Sequence, residues 1–216
     1  MNRATISADI IASTSLTHDQ RVFLDANLQR LLSALRRKFG IKKFFGRLIK
    51  GDYLECVFEE PQSALRAALL MKTFVKALDI TSSNTHFNDD RLRVAVGVGG
   101  ITTLDRKRGF IDGGAIVLSG RAIQDTAGQG KHTLIFRSGD EALNNSMLPL
   151  FSLLDIVLAR NTQVQCGILW HRLSGKTEKE ISALTGKSQS TINQHTHAAG
   201  WFAIENAVNY FERSIK

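Results

Sequence analysis

The first 137 residues alternate between strand and helix periodicity in one particular order, and that order constrains the fold more than any other feature of the chain. Thr5 to Ala12 sets Ile6, Ala8 and Ile10 between Ser7 and Asp9, a period-two pattern that reads as a strand. Thr17 is placed to cap a helix running to about Phe39, along which Phe23, Leu24, Leu28, Leu31, Leu32 and Leu35 form one apolar stripe. Phe44–Ile49 and Tyr53–Phe58 then flank Lys50-Gly51-Asp52 as a hairpin. Pro61 opens a second helix, and Leu92 to Val98 alternates Val94, Val96 and Val98 with Arg93, Ala95 and Gly97 as a further strand. Gly99-Gly100 and the charged Asp105 to Arg108 read as a loop, Ala115 to Ile123 as a short helix and Thr133 to Phe136 as a last strand. The order β-α-β-β-α-β-α-β predicts an α+β, ferredoxin-like antiparallel sheet with both long helices on one face. Residues 79–90 are polar and irregular.

No strand pattern follows Ser138. Residues 138–160 read as a helical linker, and residues 161–216 as a small all-α domain of four short helices. With 43 % hydrophobic and 22 % charged residues, the 216-residue chain has the composition of a globular protein. The longest apolar stretch, Met147 to Leu158, is broken by Ser152 and Asp155, which argues against a membrane span. The first residues show no signal-peptide core, and Cys56 and Cys166 are too few for a disulfide framework, so the expected compartment is the cytoplasm. The net charge of +8 is concentrated: Arg30, Arg36, Arg37, Lys38, Lys42, Lys43, Arg47 and Lys50 occur with no acidic residue among them. Such a run suits an anionic partner, or the solvated face of a helix and a guarded strand edge.

The most specific stretch is Glu180 to Ile192. Small Ser182 allows two helices to cross closely, Gly186 suits a left-handed turn, Ile181, Leu184 and Ile192 supply a shared core, and Ser188 caps the second helix. This pattern resembles the helix-turn-helix of sigma-factor region four. The resemblance implies that Gln189, Ser190, Thr191, Asn193 and Gln194, with His195 beside them, face a major groove of double-stranded DNA while Lys187 and Lys179 hold phosphates. Residues 161–216 carry a net charge of only +2, so strong binding would need a dimer or the basic run at 30–50. His195 and His197, two apart on a helix, diverge and make a poor metal pair.

Two acids mark the other half. Asp9 ends the first strand, and Asp52 lies in the hairpin that a ferredoxin-like sheet sets beside it. Paired carboxylates suit a hard cation such as Mg²⁺, and the helix start near Ser15-Leu16-Thr17 suits phosphate. Residues 5–125 resemble the class III nucleotide cyclase domain, whose Asp-Ile and Gly-Asp metal motifs match Asp9-Ile10 and Gly51-Asp52. Arg121 matches that family's transition-state arginine. Val117 stands at its asparagine position and Leu48 at its base-selecting lysine, and neither side chain hydrogen-bonds a substrate. The whole chain is most similar to the SatD-like family, a cyclase-like domain followed by a helix-turn-helix. The match rests on residues 8–13, Lys50-Gly51-Asp52, residues 93–102, Asp112-Gly113-Gly114-Ala115 with Arg121, and residues 188–192.

Two functions follow as expectations. One is a DNA-binding transcriptional regulator whose cyclase-like half senses a nucleotide-like ligand or mediates dimerisation. The other is a metal-dependent nucleotide-binding protein or cyclase using Asp9, Asp52 and Arg121. Either accommodates a homodimer.

Overall fold

The computed structural model describes residues 2–85, 87, 90–127 and 132–215. Within the 79–90 stretch, positions 86, 88 and 89 lie outside the described residues. The chain forms β1 (Arg3–Ile10), α1 (His18–Phe39), β2 (Phe44–Ile49), β3 (Tyr53–Phe58), α2 (Ala64–Ala77) and β4 (Leu92–Gly99). There follow β5 (Thr103–Asp105), β6 (Phe110–Asp112), α3 (Gly114–Ala127) and β7 (Leu134–Ser138). The helices α4 (Glu141–Arg160), α5 (Gln163–Leu173), α6 (Glu178–Thr185), α7 (Gln189–Ala198) and α8 (Trp201–Ser214) complete it.

The main sheet has the order β2-β3-β1-β4-β7. Its first four strands are antiparallel neighbours, the ferredoxin-like arrangement, so the chain is α+β. The fifth departs from the expected all-antiparallel sheet: β7 runs parallel to β4, because the α3 crossover returns the chain to the same end. The charged Asp105–Arg108 segment is also more than a loop, since it turns a separate two-stranded hairpin of β5 and β6.

Strand alternation divides the sheet into two faces. Ala4, Ile6, Ala8 and Ile10 of β1, with Leu92, Val94, Val96 and Val98 of β4, lie in the main core under α1 and α2. The α1 stripe fits this face: Leu24, Leu28, Leu31, Leu32 and Leu35 are buried, each worth about 1.5–3 kcal/mol. A reciprocal Thr17–Gln20 capping box starts α1. On the opposite face, Thr5 and Ser7 meet Ser119 of α3 through hydroxyl contacts of 2.9 Å each. Gly97 makes this approach possible, because a β-carbon there would stand 2.3 Å from the Ala115 carbonyl oxygen.

The later helices share the main core. Phe136 of β7, Phe151 of α4 and Phe211 of α8 stack with centroids 5.4–5.9 Å apart. Helix α4 is continuous through Ser152 and Asp155 and, by length and composition alone, is long and apolar enough to cross a membrane. In the fold it buries Met147, Phe151, Leu154 and Leu158 against the core, and it sinks Asp155 into a polar network. There Lys72, 4 % exposed, lies 2.8 Å from Asp90 and 3.5 Å from Asp155, and it donates to Thr133 Oγ1 at 2.6 Å. A buried cation thus ties α2, the entry to β4, the entry to β7 and α4 together.

Candidate functional site

Asp9 pairs in register with Tyr53 on one side and Arg93 on the other. Alternation turns its side chain to the face that carries Thr5 and Ser7, away from the main core. There Arg93 Nη1 lies 3.3 Å from Asp9 Oδ2. Asp52 reaches the same corner by way of the hairpin: its carbonyl accepts the Ile10 N–H at 3.1 Å, and its Oδ2 accepts Ser13 Oγ–H at 2.8 Å. Two non-glycine residues on this rim, Ala12 at φ 51° and Lys50 at φ 53°, hold left-handed backbone. Such conformations cost about 1–2 kcal/mol apiece, so the tight turns that place Ser13 and Asp52 are maintained against local preference.

Burial raises the Asp9 pKa above the ordinary carboxylate range, Arg93 opposes the shift, and the neighbouring Asp52 charge adds to it. The backbone bond from Ile10 N–H to the Asp52 carbonyl sets Asp52 beside the residue that follows Asp9. Tyr53 is raised as well, by burial first, with its hydrogen bond to Ser7 opposing and the Glu55 and Asp9 charges adding. Beside Asp52, between the start of α1 and the hairpin, opens a cavity of about 290 Å³. Ser13, Thr14, His18, Arg21 and Lys50 line it. Two carboxylates, Asp25 and Asp52, share this wall with two cations, an imidazole and the Thr14 hydroxyl, while Asp9 stands outside the lining.

The donor set fits a divalent cation. Asp9 Oδ1 and Asp52 Oδ1 bond no other group among the described residues, which leaves one hard oxygen on each acid. No cluster of three or more His, Cys, Asp or Glu forms among the described residues, so water and ligand phosphate would complete an Mg²⁺ shell, as that ion ordinarily requires. A cation there would neutralise phosphate charge and polarise a phosphoryl oxygen. The other cyclase-matched positions stay apart. Arg121 is exposed on α3 and contacts neither acid among the described residues. Val117 is exposed, and Leu48 packs against the main core.

The second predicted site lies on α6 and α7. Thr177 and Glu180 form a capping box, Gly186 takes φ 69° at the turn, and Ser188 caps α7 through the Thr191 N–H at 3.1 Å. Ile181 and Ile192 bury against Ile168 of α5. Leu184 departs from the expected core set: it is 59 % exposed, because it lies three residues past Ile181 on a helix that buries only Ile181. Lys187, Gln189, Ser190, Asn193 and Gln194 are exposed, whereas Thr191 is half-buried with its hydroxyl 2.9 Å from that of Ser188. Asn193 Nδ2 donates to Glu178 at 3.2 Å.

Two site residues escape sequence reading. Arg93 appears there as the polar half of an alternating strand and within the 93–102 match, with no role at the site, and that role emerges from the antiparallel register that sets it opposite Asp9. Ser13 reads as a turn residue until its hydroxyl is found on Asp52.

No family model matches the chain, and no curated protein matches it. Two solved structures that resemble part of this chain are bacterial light-regulated adenylyl cyclases. One is 17 % identical, with a TM-score of 0.44 over 63 % of this chain and 43 % of its own. The other is 16 % identical, with a TM-score of 0.43 over 62 % of this chain and 74 % of its own. This chain thus spans less than half the length of the first. At such similarity neither substrate nor activity carries over.

Proposed function

We propose that this protein binds a nucleoside phosphate through a divalent cation held by Asp9 and Asp52, without cyclising it. The single observation that carries the reading is the convergence of these two acids at one corner of the sheet. Asp52 is locked there by its backbone bond to Ile10 and its side-chain bond to Ser13, beside a cavity with hydroxyls and cations. The cavity supplies phosphate donors in Thr14, Arg21 and Lys50. Turnover lacks its parts: an exposed valine and a core-packed leucine stand where a cyclase would bond ribose and base. Calorimetric titration with ATP and GTP, with and without Mg²⁺, tests this. Magnesium-dependent binding that Asp52→Asn weakens at least about tenfold, with no cyclic product, is expected. Equal binding in EDTA, or a cyclic product, would contradict it.

A second reading concerns the C-terminal helices. Their caps, their left-handed turn and the outward Gln189, Ser190, Asn193 and Gln194 favour a helix-turn-helix that reads double-stranded DNA, as the SatD-like resemblance implies. The nucleotide-binding half would then be its sensor. Replacing Gln189 and Asn193 with Ala should relax sequence preference by about 1–3 kcal/mol per lost base contact. An unchanged footprint would remove α7 as the recognition helix.

A further inference from the structure

The structure also assigns a second ligand site, which does not depend on the first: we propose that the cavity between α1, α2 and α5 binds a small phosphate-bearing molecule with an apolar or planar part. The cavity measures about 470 Å³, within the size range of small-molecule pockets. Its polar wall is cationic. Arg37 and Lys38 come from the end of α1, His171 from α5 and Lys176 from the turn after it, and no carboxylate lines the space. Its apolar surface is that of part-exposed Trp170, whose ring meets Phe74 at 4.9 Å and which lies with the wholly buried Leu35 and Leu70 around the cavity.

The basic groups here disfavour one another's charge, and one polar atom among them is unsatisfied. His171 Nδ1 is buried with no hydrogen-bond partner. Burial and nearby Lys176 lower the His171 pKa. Burial and Arg66 lower that of Lys38, with Glu212 opposing. Lys38 spends one donor on the Ser174 carbonyl at 3.1 Å, across the seam between the sheet-bearing half and the later helices. An anion here would oppose that effect and offer His171 an acceptor once its ring is protonated. The apolar surface would add affinity for a ligand larger than phosphate alone. A concave site favours a small molecule over a nucleic-acid backbone, which would meet only the rim. The basic run at 30–50 gains a role in this way, since two of its members line the cavity.

The test uses the whole chain in EDTA, which silences a metal-dependent site at Asp9 and Asp52. Inorganic pyrophosphate and ADP are titrated by calorimetry, and the His171 ring is followed by NMR. Binding of both is expected, ADP at least about tenfold tighter, with the His171 resonance shifting toward the protonated form. The rim variant R37A/K176A should weaken both at least about tenfold. Should that pair fail to fold, Lys176→Gln alone is expected to weaken binding several-fold. Absence of binding by either probe in EDTA overturns the proposal, as does binding the rim variants leave intact. Equal affinity for the two probes overturns the role of the apolar surface. A 20-base-pair duplex that binds and is lost in R37A/K176A, while ADP does not bind, reassigns the rim to DNA.

Discussion

Arg93 and Asp9 stand opposite each other on β4 and β1, with Nη1 3.3 Å from Oδ2, on the sheet face away from the main core. The arginine compensates only part of the cost of burying the acid, since the net effect on Asp9 is still an upward pKa shift. A raised carboxylate pKa contributes stability that is complete below its unfolded value and lost as pH rises through the folded one. Asp9→Asn should therefore stabilise the ligand-free protein at pH 7, by at most about 1 kcal/mol for a group this accessible. The gain should vanish at acid pH, where Asp9 is neutral in both states. Thermal melts of the two proteins from pH 3 to pH 8 check the sign. A loss of stability at pH 7 would show that the Arg93 pair outweighs desolvation.

Helix α3 owes its position to one missing side chain. A β-carbon at position 97 would approach Ala115 O to 2.3 Å and Ser119 N to 2.8 Å, both backbone atoms of the helix. Gly97→Ala should destabilise the fold by about 1–3 kcal/mol and disturb the Thr5–Ser7–Ser119 hydroxyl cluster. Urea denaturation measures the first effect, and an unchanged midpoint would mean that α3 can slide at no cost.

Lys72 is the most consequential buried charge described. It is 4 % exposed and faces Asp90 and Asp155, and it donates to the Leu92 carbonyl at 3.0 Å. Lys72→Met should cost about 3–5 kcal/mol, because two carboxylates are left without their cation. The double change K72M/D155L should cost less than the single one, since it removes a stranded acid together with the lysine. Chemical denaturation of the three proteins tests this ordering.

His171 gives the fold a measurable response to acid. A base with a depressed folded pKa leaves stability intact above its unfolded value and erodes it as pH falls through that value, because the unfolded chain then binds more protons. His171→Gln should lose less stability than the parent between pH 7 and pH 5. Adding pyrophosphate to the parent should narrow the gap. Equal pH profiles for both proteins would show that the ring is solvated in solution.

Much of this architecture is legible in the residues because local signals agree with the fold. Thr17, Gly40, Lys50-Gly51-Asp52 and Ser188 mark ends that the structure places at the same positions, and strands β2 and β3 fall on the bounds that their alternation suggests. The parallel pairing of β7, the small hairpin of β5 and β6 and the exposure of Leu184 depend on what meets what in space, which periodicity does not encode. The candidate site divides in the same way. Asp9 and Asp52 stand out by motif, whereas Arg93 is recognisable only once β1 and β4 are in register, and Arg37 and Lys176 come to line one cavity only in the folded chain.

The most direct test of cation-dependent phosphate binding is electron paramagnetic resonance of Mn²⁺ titrated into the protein, with and without a non-hydrolysable ATP analogue. We expect one bound Mn²⁺ per chain in the ternary complex, weakened at least about tenfold by Asp9→Asn or Asp52→Asn. A free-ion spectrum with the parent protein and analogue present, or binding that both variants retain, would contradict the assignment of these two acids.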